Sequence, residues 1–251
     1  MAVYGTIICL GDSLTHGARD GYGRCYPFEL SDMLWEEFGQ RWICADEGVN
    51  GDTSTDVLRR SITVMKKYPE AKEVVLLCGT NDSKSTVNMP PHIYKKNMDG
   101  IIRVCAVHEK DVLLCKIPDL RGFGAPDYDQ MSAIKIDSFN EILEEVAGEN
   151  VDTIRSVIDL TGIPKEYYAD GVHFKNIGYV EIARRILKGI QRKRHFQTPT
   201  VYSDADGSYR DKPNTNYPRD PKLTTYFGET KKKIKPNFET NFDVNCGKGG
   251  L

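Results

Sequence analysis

The run Val74-Val75-Leu76-Leu77-Cys78 is apolar at every position, and it constrains the fold more than any other stretch. A strand with one wet face alternates apolar and polar side chains. One that is apolar throughout is covered on both faces, as a central strand of a parallel sheet is. Thr6-Ile7-Ile8-Cys9-Leu10 and Val112-Leu113-Leu114-Cys115 have nearly the same character, while Trp42-Ile43-Cys44-Ala45 and the stretch from Ile154 to Leu160 are weaker versions. Between these runs, apolar residues recur at helical spacing. Phe28, Leu30, Met33, Leu34 and Phe38 mark one helix, with Pro27 placed for its first turn. Val57, Leu58, Ile62 and Met65 mark another, with Thr53 or Ser54 as its cap and an end near Pro69. Further helices are predicted from about Pro91 to His108, near Met131 to Ala147, and from about Ile177 to Arg194. Strands alternating with helices predict an α/β fold with a doubly wound parallel sheet of five strands. Right-handed crossovers leave only a few topologies.

The chain has 251 residues, which suits one domain of roughly 200 residues and an appendage. The break is expected at His195. Residues 195–251 are about a quarter apolar, against 39% for the whole chain, and are rich in proline. Such a segment builds no core of its own. Yet aromatics recur along it, from Phe196 through Tyr202, Tyr209 and Tyr226 to Phe242. Two readings stand: a disordered tail, or an extended arm that docks on this domain, on another subunit as a homo-oligomer, or on an assembly partner.

The formal net charge is −2, so no whole-chain field attracts nucleic acid. The basic run Gln191-Arg192-Lys193-Arg194 complements a helix C-terminus, and Lys231-Lys232-Lys233 reads as a solvated run. Met1-Ala2-Val3-Tyr4-Gly5 lacks a signal peptide's pattern, and no run is long enough to span a membrane. With seven cysteines, an odd number, and no Cys-x-x-Cys, free thiols and a cytoplasmic location are expected. Cys25 and Cys246 lie in loop-like sequence, where a thiol can be reactive. His16, His92, His108 and His195 show no metal-ligand spacing with one another or with cysteines, so no metal is expected.

Four polar stretches fall where strands should end, at one rim of the sheet: Gly11-Asp12-Ser13-Leu14, Asn50-Gly51-Asp52, Gly79-Thr80-Asn81-Asp82 and Asp170-Gly171-Val172-His173. Any one of them is ordinary turn chemistry. Together they hold a complete set of roles. Ser13 supplies a hydroxyl, His173 can take and return its proton, and Asp170 can hold the imidazole tautomer. The N–H groups of Ser13 and Gly51 and the Asn81 amide are candidate donors to an oxyanion. Asp12 and Asp82 are expected to bond loop backbone, and Asp170 has capping as a competing role.

These four blocks, in this order, resemble those of the SGNH/GDSL hydrolase family of esterases and lipases, over residues 4 to about 190. Gly-Asp-Ser-Leu carries Ser13, Gly-Val-Asn-Gly-Asp-Thr carries Gly51, Gly-Thr-Asn-Asp carries Asn81, and Asp-x-x-His carries Asp170 and His173. The resemblance implies a flavodoxin-like three-layer α/β/α sandwich and cofactor-free hydrolysis of a small acyl ester, with Ser13, Asp170 and His173 catalytic. Thr15 stands where the second glycine of an ordinary nucleophile elbow, Gly-x-Ser-x-Gly, would be. In the loop from Pro118 to Asp129, Leu120 and Phe123 are candidate walls of the acyl pocket. With no broad apolar lid in the sequence, a short acyl group on a sugar is favoured over a long lipid chain. A rival reading makes the fold a binding or structural module of a larger assembly, joined through the arm, with esterase activity secondary or lost.

Overall fold

The computed structural model describes residues 4–19, 24–122 and 127–194. The proposed arm, Cys246 and Phe123 lie outside the described residues. Five parallel strands make one sheet: β1 Gly5–Gly11, β2 Trp42–Gly48, β3 Glu73–Leu77, β4 Asp111–Cys115 and β5 Ile154–Ile158. The helices are α1 Ser13–His16, α2 Tyr26–Phe38, α3 Ser54–Lys67, α4 Pro91–Val107, α5 Gln130–Glu149 and α6 Asn176–Arg194.

The strand alternation sorts the core into two layers. Ile7 and Cys9 of β1, Val75 and Leu77 of β3, and Leu113 and Cys115 of β4 pack with Tyr26, Leu30 and Leu34 of α2 and Tyr179, Ile182 and Ile186 of α6. Their neighbours Ile8, Leu10, Val74, Leu76, Val112 and Leu114 pack with Val57 and Met65 of α3, Met98 and Ile102 of α4, and Phe139 and Leu143 of α5. Both faces of the sheet are therefore dry, which is why these strands carry almost no polar residue. Each fully buried Val, Leu or Ile side chain contributes roughly 1.5–3 kcal/mol. No helix among the described residues is long and apolar enough to cross a membrane.

Local chemistry sets the helix starts. Pro27 occupies the first turn of α2. At α3, the Asp56 carboxylate reaches back to the Thr53 N–H at 3.1 Å. Asp129 caps α5 by accepting the Ser132 N–H at 2.9 Å. Two sequence expectations need correction. The Gly-Asp-Ser turn continues into a one-turn helix, α1. Cys25, read as lying in loop-like sequence where a thiol can be reactive, sits buried at the N-cap of α2.

The strand order is β2-β1-β3-β4-β5. The chain's winding reverses about β1, which pairs with β2 on one side and β3 on the other. In such open sheets ligands bind beyond the carboxyl ends of the strands at this reversal. The Ser13, Gly51 and Asn81 blocks follow β1, β2 and β3 directly.

Candidate active site

Gly11 ends β1. A Cβ there would collide with the Leu77 carbonyl and the Thr15 hydroxyl, so only glycine lets α1 fold back over the strand end. Asp12 caps α1 by accepting the Leu14 N–H at 2.9 Å. Its carboxyl is wholly buried. Desolvation pushes its pKa up to about 7, against the Leu14 hydrogen bond and with help from the nearby Asp82 and Asp52 charges.

Ser13 opens α1 and is 6% exposed. Its Oγ lies 3.0 Å from Nε2 of His173, and Nδ1 of His173 lies 2.9 Å from Oδ2 of Asp170. An ionised carboxylate only accepts, so Nδ1 carries the proton and Nε2 is left to accept from Ser13. The other Asp170 oxygen accepts the backbone N–H groups of Val172 at 3.0 Å and His173 at 2.8 Å. Asp170 therefore both caps its turn and orients the imidazole. Burial pushes its carboxyl up, but the hydrogen bonds from His173 and Val172 outweigh it and hold the group below the usual carboxylate range. The exposed Arg19 guanidinium stands 3.5 Å from the same carboxylate.

The loop carrying His173 is fastened on both sides. Tyr168 and Phe174 form an isolated antiparallel bridge. The Ala169 N–H donates to the His173 carbonyl at 2.8 Å, and the Arg121 N–H donates to the Gly171 carbonyl at 2.8 Å. Phe174 is fully buried, its ring 4.3 Å from that of Tyr168 and 5.8 Å from that of Tyr179.

Across the rim, Asn81 begins a single 3-10 turn, Asn81–Ser83, just beyond β3. The Tyr94 hydroxyl holds the Cys78 carbonyl at 2.9 Å. Asp82 accepts the N–H and the hydroxyl of Ser54 at 2.8 and 2.5 Å, tying this turn to the start of α3. The Asn81 Nδ2 donates one hydrogen to the Asp52 carbonyl at 2.9 Å. The Asn81 Oδ1 accepts from the Tyr128 hydroxyl at 3.2 Å.

Gly51 sits in the turn from Val49 to Asp52, which the Asp52 N–H closes on the Val49 carbonyl at 3.2 Å. Its φ of +85° favours glycine, and a Cβ there would meet no atom within 4 Å. Arg60 of α3 fastens this turn to β1: Nε donates to Asp52 at 2.7 Å and a terminal nitrogen donates to the Gly11 carbonyl at 2.7 Å.

The structure thus brings Ser13, His173 and Asp170 into one hydrogen-bonded line and sets Gly51 and Asn81 at the ends of the neighbouring strands. Such a line can move a proton off a hydroxyl and return it. Leu120 packs on the apolar layer of α3, α4 and α5 and lines a small cavity with Asp119, Ala133, Ile136 and Asp137. None of the five residues above lines that cavity. Arg60 and Tyr128 escaped the sequence reading, since nothing in their local pattern marks them. Among the described residues, no group of three or more His, Cys, Asp or Glu could hold a metal ion.

Residues 9–180 match the GDSL-like Lipase/Acylhydrolase family. No curated protein matches the chain. Among solved structures, the lipase/acylhydrolase from Enterococcus faecalis is similar at 25% identity with a TM-score of 0.63, over 75% of this chain and 96% of that one. An acetylxylan esterase from Geobacillus stearothermophilus shares the fold at 17% identity and a TM-score of 0.62, over 75% and 95% of the two chains. A carbohydrate acetylesterase from Sinorhizobium meliloti does so at 16% identity and a TM-score of 0.61, over 75% and 99%. The family match runs from within β1 into α6 and takes in all four rim blocks. The chain belongs to the GDSL-like lipase/acylhydrolase family, also called SGNH/GDSL, and is a carboxylic ester hydrolase.

Proposed function

We propose that the protein is a serine esterase that hydrolyses short acyl esters, acetyl esters of a carbohydrate among them, through an acyl-enzyme. The observation that carries this reading is the line from Asp170 through His173 to Ser13, at 2.9 and 3.0 Å. Ser13 Oγ attacks the ester carbonyl as its proton passes to His173 Nε2. The carbonyl π electrons move onto oxygen, and the oxyanion rests among the Ser13 N–H, the Gly51 N–H and the second N–H of Asn81. The intermediate collapses, the carbon–oxygen bond to the alcohol breaks, and His173 protonates the leaving alkoxide. Water then attacks the acyl-serine with His173 as base, and the acid leaves as Ser13 recovers its proton. Asp170, ionised throughout, stabilises the imidazolium formed twice in each cycle.

A short acyl group is supported by the near burial of Ser13, at 6% exposure. A polar alcohol is supported by the rim beside it, made of Asp170, His173, Asn81 and Arg19. Two of the proteins sharing the fold are named for acetyl esters of carbohydrates, which agrees with this choice. Rates across p-nitrophenyl esters of increasing chain length test it, with Ser13→Ala as control. The expected profile is highest at acetate and falls steadily with length. Ser13→Ala should lose several orders of magnitude in kcat and fail to label with a fluorophosphonate. Full activity in that variant would overturn the mechanism, and a maximum at long chains would overturn the substrate.

A further inference from the structure

An oxyanion donor must be aimed as well as present. A primary amide carries two N–H donors on one end and an accepting oxygen on the other, and rotation by half a turn exchanges them. A flipped Asn81 would point a lone pair at the oxyanion. The Asp52 carbonyl holds the amino end at 2.9 Å. Asn81 is 3% exposed, so its oxygen has little water to bond and needs a protein donor.

We infer that Tyr128 is that donor, a positioning residue that fixes the Asn81 amide with its second N–H toward the oxyanion. The inference rests on the serine-esterase reading above. The Tyr128 hydroxyl lies 3.2 Å from Oδ1. The phenol is buried, and desolvation, with the charges of Asp12, Asp127, Asp170 and Asp82, pushes its pKa well above the usual value. It therefore stays protonated and donates across the working pH range. A donor on the amide oxygen also draws electron density from nitrogen, which strengthens the remaining N–H.

The segment carrying Tyr128 is clasped to the Asn81 turn. The backbone N–H and the hydroxyl of Ser85 both donate to the Asp127 carbonyl at 3.1 Å. The Lys84 ammonium lies 5.5 Å from the centre of the Tyr128 ring, and the Lys84 N–H closes on the Asn81 carbonyl at 3.3 Å. On the other side of Tyr128, Asp129 caps α5. The phenol thus stands on a short strap fixed at both ends, which leaves its hydroxyl little freedom to leave Asn81.

The test is a double-mutant cycle on p-nitrophenyl acetate. Tyr128→Phe removes one oxygen. A lost hydrogen bond of ordinary strength predicts about a tenfold fall in kcat, with KM changed by less than about twofold and the melting temperature lowered by roughly 2–8 °C with the fold kept. In an Asn81→Ala background, already slowed by roughly 10²–10³, Tyr128→Phe should have no further effect on kcat. Ser85→Ala, which loosens the strap from outside the site, should give the same pattern more weakly, and it decides the matter if Tyr128→Phe does not fold. An equal fall in both backgrounds, or an unchanged kcat with Asn81 intact, would overturn the role of Tyr128. If Ser13→Ala is dead and Asn81→Ala is slow, that failure touches Tyr128 alone; an active Ser13→Ala would sink the esterase mechanism beneath it.

Discussion

Ser13 and His173 stand 160 positions apart in sequence, yet their side chains meet at 3.0 Å. Ser13 was legible as a candidate because it sits in a short polar block at a strand end, where turn chemistry and reactive chemistry use the same residues. His173 was expected at a strand end too, but it lies well beyond β5, in the turn before α6, and only its Asp-x-x-His block marked it. Gly51 and Asn81 were legible for the same reason as Ser13, and Asp170 through the same block as His173. Tyr128 and Arg60 were not, since each acts across a tertiary contact and the sequence around it is ordinary loop or helix. The orientation of the Asn81 amide was equally hidden, because it depends on which groups the fold places at its two ends. Asp170→Asn tests how much the carboxylate contributes to tautomer control. An asparagine can still accept the Val172 and His173 N–H groups through its oxygen. Its amino group, however, would face Nδ1 and drive the ring proton to Nε2, which could then no longer accept from Ser13. The expected outcome is a fall in kcat of roughly 10³–10⁴-fold with the fold intact by circular dichroism. A loss of tenfold or less would mean that Asp170 serves its turn and little else.

Elements with a long or strong pattern were readable, and short ones were not. The expected strands and the five long helices appear within a few residues of their predicted limits, because two-sided burial leaves continuous apolar runs and one-sided burial leaves helical stripes. Helix α1 has four residues, too few to show any period, and so passed as a turn. Cys25 read as a loop residue because nothing in the sequence around it shows that it is the buried cap of α2. Helix α3 illustrates what such reading omits: its apolar face was visible, but its polar face carries the fork that joins two strand ends. Arg60 reaches Asp52 at 2.7 Å and the Gly11 carbonyl at 2.7 Å, so one side chain sets the strand that leads into Ser13 against the Gly51 turn. Arg60→Met should leave Asp52 without its cation and cost about 1–3 kcal/mol of stability, read by thermal or urea unfolding, with a lower kcat. Arg60→Lys should recover little of it, because an ammonium lacks the two-pronged geometry. Wild-type activity and stability in the lysine variant would show that charge alone suffices.

At the scale of the whole molecule, a parallel sheet gathers several loop ends at one rim, and that gathering buries charge. Asp12 shows the consequence for stability. Its carboxyl titrates near 7 in the folded protein against 3.8 for the free group, so between those values the folded state binds more protons than the unfolded chain. The stability it contributes is complete below about pH 4 and is lost as pH rises through about 7. Asp170, held low by its hydrogen bonds, works in the opposite sense: its contribution is present above the free carboxylate's pKa and is lost on acidification. A single stability curve mixes the two, but a difference between two proteins does not. Asp12→Asn keeps an oxygen for the Leu14 N–H and removes the titration. The stability of the variant minus that of the wild type should therefore climb between about pH 4 and 7, by a few kcal/mol, and level off above. Urea unfolding of both proteins from pH 4 to 8 measures this difference. Parallel curves across that range would mean that Asp12 is ionised in the folded protein and that its burial is compensated by the surroundings.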